Sequence, residues 1–550
     1  MVAMVHIVSL AVHLLALPVA YSDRMDLNQL LMLGGLGSVG AAAQPMEADP
    51  ATAMAAVTAT AAQHQEQALE RLLHTATADA SLLLPPGHDS FVANSFGSLV
   101  SMATALAQDT MPPERVELHL IGLSNALETF PRTSSFPGLR RVVVASLALR
   151  RLRHGPFADE HLKRCTSLLL QLFDQHRDAA TRKRAIEFAH ISKAGGTSIC
   201  SLAERNGCTT ESFAPNRNCQ LPVFRDQPRY INATQHAALR GRAKTHCQRP
   251  TKPMSPRSEA SCEKRRQYLL SKGYTIYANE YTAFGGSADP GLAHPCSNMM
   301  TVLQIRHPHD RVISHINHVF TMYERHCHED RGLYFAKGHD TADWALLIPA
   351  PVNNYMIRSL LGEAVFNLPA DNQSITEEHL ELACNFLAQQ YDVLLVLEES
   401  DMSARTMRAG LGWQSYELHV NGKAPEPEDG LPTNLELLWE LNRLDLQLYE
   451  YGVAMARLDA VVFSVAEALL PDMPRAQAAQ PPPPALATAA AAPTVASNVI
   501  VAAAGQQAAA LALPPGGGTP ADMAWAAMPC DRTGGCSTVK MAPCHIVRGH

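Results

Sequence analysis

The chain has 550 residues, of which 47% are hydrophobic and 18% are charged. This length allows one large core together with additional segments. Its 45 basic and 52 acidic residues give a formal net charge of −7, which excludes nucleic-acid binding driven by overall charge. None of the 12 cysteines forms a Cys-x-x-Cys pair, so disulfides in an oxidising compartment are expected rather than a cytosolic metal or redox site.

The first 21 residues predict a membrane-targeting segment. Residues 1–21 contain no Asp, Glu, Lys or Arg, and Asp23 and Arg24 follow directly. About 20 apolar residues can span a bilayer, but a short Leu-rich stretch is also typical of a cleaved signal peptide. Signal peptide and signal anchor both stay open, and either one indicates the secretory pathway.

Two long segments are poor in large apolar side chains. Residues 22–139 are rich in Ala, Ser and Thr and predict a low-complexity stem, whereas residues 466–550 are rich in Ala and Pro and predict a disordered tail. After the stem, Leu162 and Leu169 belong to a set of apolar residues at helical spacing. This pattern predicts a helical extension over residues 140–184.

The region 185–465 alternates short β-rich runs with helical stretches. The runs occupy residues 185–190, 274–278, 299–305 and 392–397, and a closing amphipathic helix is expected at 439–458. Strands that alternate with helices are typical of a parallel sheet covered by helices on both faces. The sequence therefore predicts an α/β fold for this domain.

The most informative segment is residues 188–199, in which a strand runs into a Gly-rich turn and then a helix. Lys193 supplies a charge there, and Gly195 and Gly196 let backbone N–H groups approach an anion. The Walker loop places its lysine after its second glycine, whereas Lys193 precedes both, so an ordinary ATP-binding loop does not match. The loop therefore predicts a nucleotide-phosphate cradle of another kind, with a plain strand-to-helix turn as the alternative.

Residues 192–198 resemble the 5′-phosphosulfate loop of sulfotransferases, most closely that of the Golgi carbohydrate class. A Lys-(Thr/Ala)-Gly-Gly-Thr-Ser core follows the first strand in that family, and Ser192 stands where its members usually have Pro. Residues 302–315 resemble the second motif, a strand followed by Arg-Asp-Pro, two variable residues, Arg, and a serine on the next helix. His307 stands where the family usually has Asp.

Three later segments, residues 354–362, 394–413 and 442–449, also resemble the family and occur in the family's order. The resemblance spans roughly residues 185–460. It implies a P-loop-like sulfotransferase fold in the Golgi lumen or membrane. It also implies the co-substrate 3′-phosphoadenosine 5′-phosphosulfate, no metal, and transfer of a sulfuryl group to a hydroxyl or amine of a carbohydrate.

The same resemblance implies the donor contacts. Arg306 and Ser314 would hold the 3′-phosphate, and Lys193 would also stabilise charge on the leaving phosphate during transfer. The residues expected to hold the phosphosulfate are Lys193, Ala194, Gly195, Gly196, Thr197 and Ser198.

A general base is expected at the carboxyl end of the second strand. Glu280 follows that strand and is the first candidate, because parallel strands deliver their ends to the same edge of the sheet. Members of the family use either Glu or His in this role. His294, His315 and His318 therefore remain alternatives, with His315 included among the catalytic candidates.

An insert at residues 205–272 carries 14 Lys or Arg and only four acidic residues, a local balance of +10. Such an asymmetry favours an anionic acceptor, such as a carboxylated or partly sulfated polysaccharide, although a solvated loop is the alternative. The insert also contains four cysteines that could staple it, and three pairings stay open. They are Cys208, Cys219, Cys247 and Cys262.

Six histidines fall within residues 307–328, but no carboxylate or cysteine completes a standard site at tight spacing, so no metal is expected. Two other functions stay open. One is a P-loop kinase, which should show GK[ST] order and an acidic Mg²⁺ ligand. The other is a catalytically inactive lumenal glycan-binding or scaffold protein of the same fold.

Overall fold

The computed structural model describes residues 50–132, 135–215, 217–232, 234–235, 256–327, 340–414, 431–432 and 434–470. The predicted targeting segment, the first part of the predicted stem and the predicted tail beyond residue 470 lie outside the described residues. The same is true of residues 236–255 within the basic insert.

Four parallel strands form one sheet in the order β2-β1-β3-β4. They are β1 (Ile186–His190), β2 (Ile276–Asn279), β3 (Met300–Ile305) and β4 (Val393–Val396). Phe188 of β1 lies opposite Ala278 of β2 and Val302 of β3, and Val302 lies opposite Val393 of β4. Each predicted strand is confirmed, with ends that differ by at most two residues.

Side chains that alternate along the strands enter two different hydrophobic clusters. Phe188 and Val302 belong to one cluster, which also contains Leu202 from the helix after β1. Leu303 and Leu394 point the other way and join a larger cluster of helices. Both faces of the sheet are therefore covered, which confirms the α/β class and explains why the strands have continuous apolar sequences.

In the part of the chain that the structure describes, five helices precede the sheet: α1 (Pro50–Ala78), α2 (Ser90–Gln108), α3 (Pro113–Thr129), α4 (Pro137–His154) and α5 (Asp159–Lys183). The helices between the strands are α6 (Gly196–Arg205), α7 (Cys262–Lys272), α8 (Pro308–Cys327), α9 (Thr341–Leu347), α10 (Pro349–Val352), α11 (Tyr355–Leu360), α12 (Glu363–Phe366) and α13 (Glu377–Gln390). After β4 come α14 (Ser400–Leu411), α15 (Leu435–Glu440) and α16 (Arg443–Leu469). Short 3₁₀ turns occupy Ala80–Leu83 and Pro290–Leu292.

The predicted stem at residues 22–139 is wrong for the part that the structure describes. Leu72 of α1, Phe96 of α2 and Leu123 of α3 have no exposed surface and share a cluster with the sheet helices. Alanine is the best helix former, and its small side chain lets helices approach closely, so an Ala-rich composition does not prevent packing. Residues 50–132 are therefore part of the folded core.

The C-terminal boundary also differs from the prediction. The predicted helix at 439–458 is two helices, α15 and α16, and α16 continues to Leu469 rather than ending before a tail at 466. Two buried arginines of α4 bond the same carboxylate of α16. Arg140 Nε lies 2.8 Å from Asp459 Oδ1, and Arg141 Nη2 lies 2.7 Å from Oδ2. The predicted helical extension is thus joined to the last helix by a buried ion-pair network.

Among the described helices, α2 is the one long and apolar enough to span a bilayer by length and composition. In this fold eight of its residues, including Phe96 and Leu99, are buried in the core, whereas Phe91 is exposed. The pattern therefore fits a core helix.

Candidate functional site

The loop that follows β1 lies where the order of the sheet reverses. β1 pairs with β2 on one side and with β3 on the other, so the connection from β1 to β2 and the connection from β2 to β3 run in opposite directions along the sheet. Ligands of α/β folds bind at such a topological switch point. Lys193 has a φ of +69°, an unusual left-handed value for a residue with a side chain. Gly195, with a φ of +86°, begins helix α6 without a side-chain cap. The first N–H groups of α6 are consequently left for other partners.

Both glycines of the loop are required by packing, and Gly195 is required by its positive φ as well. A Cβ atom at Gly195 would overlap the side-chain amide of Gln304, and one at Gly196 would overlap the ring of His190. The Gln304 amide also donates to the carbonyl oxygen of Ala194 over 2.5 Å. The loop is therefore held against β1 and β3 by side chains of the strands themselves.

Arg306, at the end of β3, reaches the same loop. Its Nη1 atom donates to the carbonyl oxygen of Lys193 over 3.1 Å. Thr197 is bonded from the other side, because its Oγ1 atom donates to Asn218 Oδ1 over 2.9 Å. Ser314 lies half-buried on α8. The structure thus brings Lys193 and Arg306 together at the switch point.

Glu280, directly after β2, contacts the loop through Ser192. The Ser192 hydroxyl donates to Glu280 Oε1 over 2.8 Å, and the Gln220 side-chain amide donates to Oε2. His190 Nδ1 lies 3.4 Å from Oε2. The carboxyl group, 12% exposed, is therefore surrounded by donors on both of its oxygens.

The surroundings of Glu280 favour its ionised form. Burial pushes the pKa of this carboxyl upward, but His190, the Ser192 hydroxyl and His318 together outweigh burial, so the pKa lies below its ordinary value. Glu280 is consequently a carboxylate at neutral pH. This is the protonation state that a general base must have before it accepts a proton.

His315, the rival base, is fully buried and bonded to Arg311. Nη1 of Arg311 lies 3.3 Å from His315 Nδ1, and a guanidinium can only donate, so Nδ1 is the acceptor and Nε2 carries the proton. Burial, with Arg311 and His318 adding to it, lowers the pKa of His315 well below its ordinary value. His315 is therefore a neutral group that can donate from Nε2, which has no partner among the described residues.

His315 and Glu280 belong to one cluster, joined by two tyrosines. The Tyr230 ring meets His315 edge to face at 4.6 Å between centroids, and Tyr355 lies at 5.7 Å. Burial first, and the Glu280 charge second, raise the pKa of both tyrosines, that of Tyr355 to about 12. His318 lies on the same helix, with its ring centroid 6.3 Å from that of His315. The predicted cluster is thus confirmed for these two histidines.

His294 lies elsewhere. Its backbone pairs with Phe284, and its Nδ1 atom lies 3.0 Å from the carbonyl oxygen of Pro295. Two arginines of the insert stack on the ring of Phe284, at 3.9 Å for Arg257 and 4.6 Å for Arg265. These contacts associate His294 with the base of the insert rather than with Glu280.

His307, the residue that departs from the family pattern, faces β4. Its backbone N–H donates to Glu398 Oε1 over 2.9 Å, and its ring contacts His309 and Tyr449. His309 in turn stacks on Trp439 at 4.1 Å. Aromatic contacts therefore surround the turn in which the family usually has an aspartate.

Part of the positive charge of the insert is carried by buried arginines that pair with a carboxylate of the same segment. Arg265 has no exposed surface, and its Nη1 atom lies 2.5 Å from Asp226 Oδ2, while Arg257 Nε lies 2.8 Å from Oδ1 of the same carboxylate. Lys264 is exposed and Arg266 is half-exposed. The outward charge is therefore smaller than the balance of +10 suggests.

The disulfides do not simply staple the insert to itself. Cys219 pairs with Cys200 on α6, and Cys262 pairs with Cys296 before β3. Both bonds fasten the insert to the sheet domain. The sequence suggested that the four insert cysteines pair with one another. That prediction is wrong for Cys219 and Cys262, because their partners lie outside the insert. Cys247 and the side chain of Cys327 lie outside the described part of the structure.

Several residues of the cluster were not predicted. Gln220, Tyr230 and Tyr355 contact the candidate bases through the fold, and no spacing in the sequence marks them. His190 could have been suspected, because it ends the strand that leads into the loop. It also lines a small, partly open cavity, with Asn279, Tyr281 and Ser359 among the other lining residues. Lys193 and Glu280 do not line this cavity, so it is not the anion site itself.

Within the described residues, no group of three or more His, Cys, Asp or Glu side chains is arranged to hold a metal ion. Comparison of the chain with protein-family models, with curated proteins and with solved structures found no match.

Proposed function

We propose that this protein is a sulfotransferase that moves a sulfuryl group from 3′-phosphoadenosine 5′-phosphosulfate to a hydroxyl or amine of an anionic carbohydrate. The observation that carries the proposal is the bond between Ser192 and Glu280. It joins a carboxylate after β2 to the residue that precedes Lys193 in the loop after β1. A candidate base and a candidate anion-binding lysine therefore lie at one edge of the sheet.

The donor side of the reaction needs fixed positive charge. Lys193 and the first N–H groups of α6 would bind the 5′-phosphosulfate, and Arg306, bonded to the Lys193 carbonyl, would bind the 3′-phosphate together with Ser314. Charge grows on the leaving phosphate as the S–O bond to it breaks. Lys193 would therefore contribute most in the transition state, which lowers the barrier rather than only improving binding.

The acceptor side needs a base. Glu280 is ionised and would take the proton of the attacking hydroxyl or amine while the new S–O or S–N bond forms. His315, with its proton on Nε2, would act as a hydrogen-bond donor instead of as the base. The two disulfides and the buried contacts of the insert support a lumenal setting and a rigid acceptor face.

Calorimetric titration of the full chain with 3′-phosphoadenosine 5′-phosphate tests the donor assignment. We expect binding without metal that weakens in Arg306→Ala. Binding of ATP that requires Mg²⁺ would favour the kinase, and failure to bind either nucleotide would favour an inactive scaffold. Transfer from ³⁵S-labelled donor to carboxylated, sulfated and neutral polysaccharides then tests the reaction. Preference for the neutral polymer would contradict an anionic acceptor.

A further inference from the structure

Three consecutive residues of the insert each bond a different part of the candidate site. Asn218 accepts a hydrogen bond from Thr197 of α6, and Cys219 is linked covalently to Cys200 of the same helix. Gln220 then donates from its side-chain amide to Glu280 Oε2. Residues 218–220 therefore connect the helix that begins at the anion-binding loop with the carboxylate that follows β2.

The backbone of this tripeptide is held in an uncommon conformation. Asn218 has a φ of +47° and Cys219 a φ of +59°, both in the left-handed region that side chains with a Cβ seldom adopt. Asparagine tolerates this region, but cysteine has no such preference. Non-glycine residues persist there only where surrounding contacts enforce it, and such residues concentrate at functional sites.

The contacts that enforce the conformation are present. Cys219 is fully buried, and its carbonyl oxygen accepts a bond from Ala278 N of β2 over 3.0 Å. The disulfide fixes its side chain to α6 at the same time. The turn therefore fixes the backbone position from which the Gln220 side chain reaches Glu280.

We propose that Gln220 is a positioning residue for Glu280, and that the Cys200–Cys219 disulfide and the left-handed turn serve to hold it there. Gln220 and Ser192 bond different oxygens of the carboxylate. Together they fix the rotation of the carboxyl plane, which decides whether a lone pair faces the acceptor. The role rests on the proposed function, but its electrostatic consequence does not, because a donor to the carboxylate stabilises the charged form in any protein.

The test compares Gln220→Ala with Gln267→Ala, a matched change at an exposed position of the same insert. For Gln220→Ala we expect kcat to fall about tenfold to a hundredfold. The acid limb of the pH profile of kcat should move to higher pH, and the Kd for 3′-phosphoadenosine 5′-phosphate should not change. Gln267→Ala should behave like the parent. Parental kcat together with an unmoved acid limb in Gln220→Ala would overturn the proposal.

A readout that needs no activity separates this proposal from the proposed function. ¹³C-carboxyl NMR of glutamate-labelled protein, assigned by comparison with Glu280→Gln, should show Glu280 titrating at higher pH in Gln220→Ala. An identical titration in both proteins would refute the positioning contact even if sulfate transfer is never detected. Conversely, a shifted titration in a chain without transferase activity would refute only the function.

Two double variants test the role of the Cys200–Cys219 disulfide. Cys200→Ser with Cys219→Ser should reproduce the raised Glu280 titration and the loss of kcat, whereas Cys262→Ser with Cys296→Ser should lower the melting temperature and leave the titration unchanged. Equal effects of the two pairs on the Glu280 titration would show that the Cys200–Cys219 bond has no special positioning role.

Discussion

Ser192, which stands where sulfotransferases usually have proline, donates a hydrogen bond from its hydroxyl to Glu280, the candidate base. A proline could not make this bond, since it has no side-chain donor. The hydroxyl is one of the groups that keep the pKa of Glu280 below its ordinary value. The departure thus has a chemical consequence.

We expect Ser192→Ala to raise the pKa of Glu280, because one hydrogen bond to the charged form is lost. The acid limb of the kcat profile should move to higher pH, while kcat at neutral pH should fall less than about tenfold. Ser271→Ala, at an exposed position of α7, is the control. An acid limb that stays in place would show that the bond does not influence the base.

Lys193→Ala and Arg306→Ala should differ in kind. Lys193→Ala is expected to reduce kcat by about 10²–10³-fold, because it removes a charge that acts while the bond to the leaving phosphate breaks. Arg306→Ala should act chiefly on donor affinity. Steady-state kinetics over a range of donor concentrations, with folding checked by circular dichroism, separates the two effects. A folded Lys193→Ala protein with parental kcat would refute the loop assignment.

Glu280→Gln should retain donor binding and lose about 10²–10⁴-fold in kcat, the usual effect of removing a positioned base. The control is Glu259→Gln, at an exposed position of the insert. The measurement is single-turnover transfer of ³⁵S label. Full turnover in Glu280→Gln with loss of turnover in His315→Ala would assign the base to the histidine after all.

The buried His176 predicts acid sensitivity of the fold. Its Nδ1 atom accepts from Arg140 and its Nε2 atom donates to the Gly410 carbonyl, and burial followed by the Arg140 charge lowers its pKa to about 4. The unfolded chain has the ordinary value of about 6.5, so it binds more protons between these values. Stability contributed by neutral His176 is therefore complete above about pH 6.5 and is lost as pH falls toward 4. The loss should be at most about 3 kcal/mol.

Thermal melting of the parent and of His176→Gln measures this loss. Glutamine can keep both hydrogen bonds but cannot take up the proton. The parent should therefore lose more of its melting temperature than the variant when the pH is lowered from about 7 to about 5. Equal losses in the two proteins would contradict the assignment.

The insert should bind acceptor through its outward charges only. Lys264→Gln with Arg266→Gln is expected to raise the acceptor KM, and less so at high salt, because screening already weakens exposed charges. Arg265→Gln should instead lower the melting temperature, since breaking its buried pair with Asp226 costs on the order of 3 kcal/mol. An acceptor KM that does not respond to salt or to the double variant would exclude the charge mechanism.

The sequence was sufficient for the sheet because buried parallel strands are short, apolar and bounded by helices. It was sufficient to predict that Glu280 lies beside the loop after β1, because parallel strands deliver their ends to one edge of the sheet. It was not sufficient for Gln220, whose contact depends on a disulfide to Cys200 and on two left-handed residues. Nor did it reveal the buried α1–α3, because Ala-rich composition resembles a stem until the surface that covers it is known.

The hydrogen bonds that join α1 and α4 to α16 also affect how the chain folds during its synthesis. Arg140 and Asp459 are 319 positions apart, and Arg457 donates to Gln65 across 392 positions. At about 5–20 residues per second, a ribosome needs roughly 16 to 80 s to add the last helix after the first ones. During that interval the surfaces of α1, α4 and α5 that pack on α16 lack this partner, so this chain should depend on chaperones until α16 emerges.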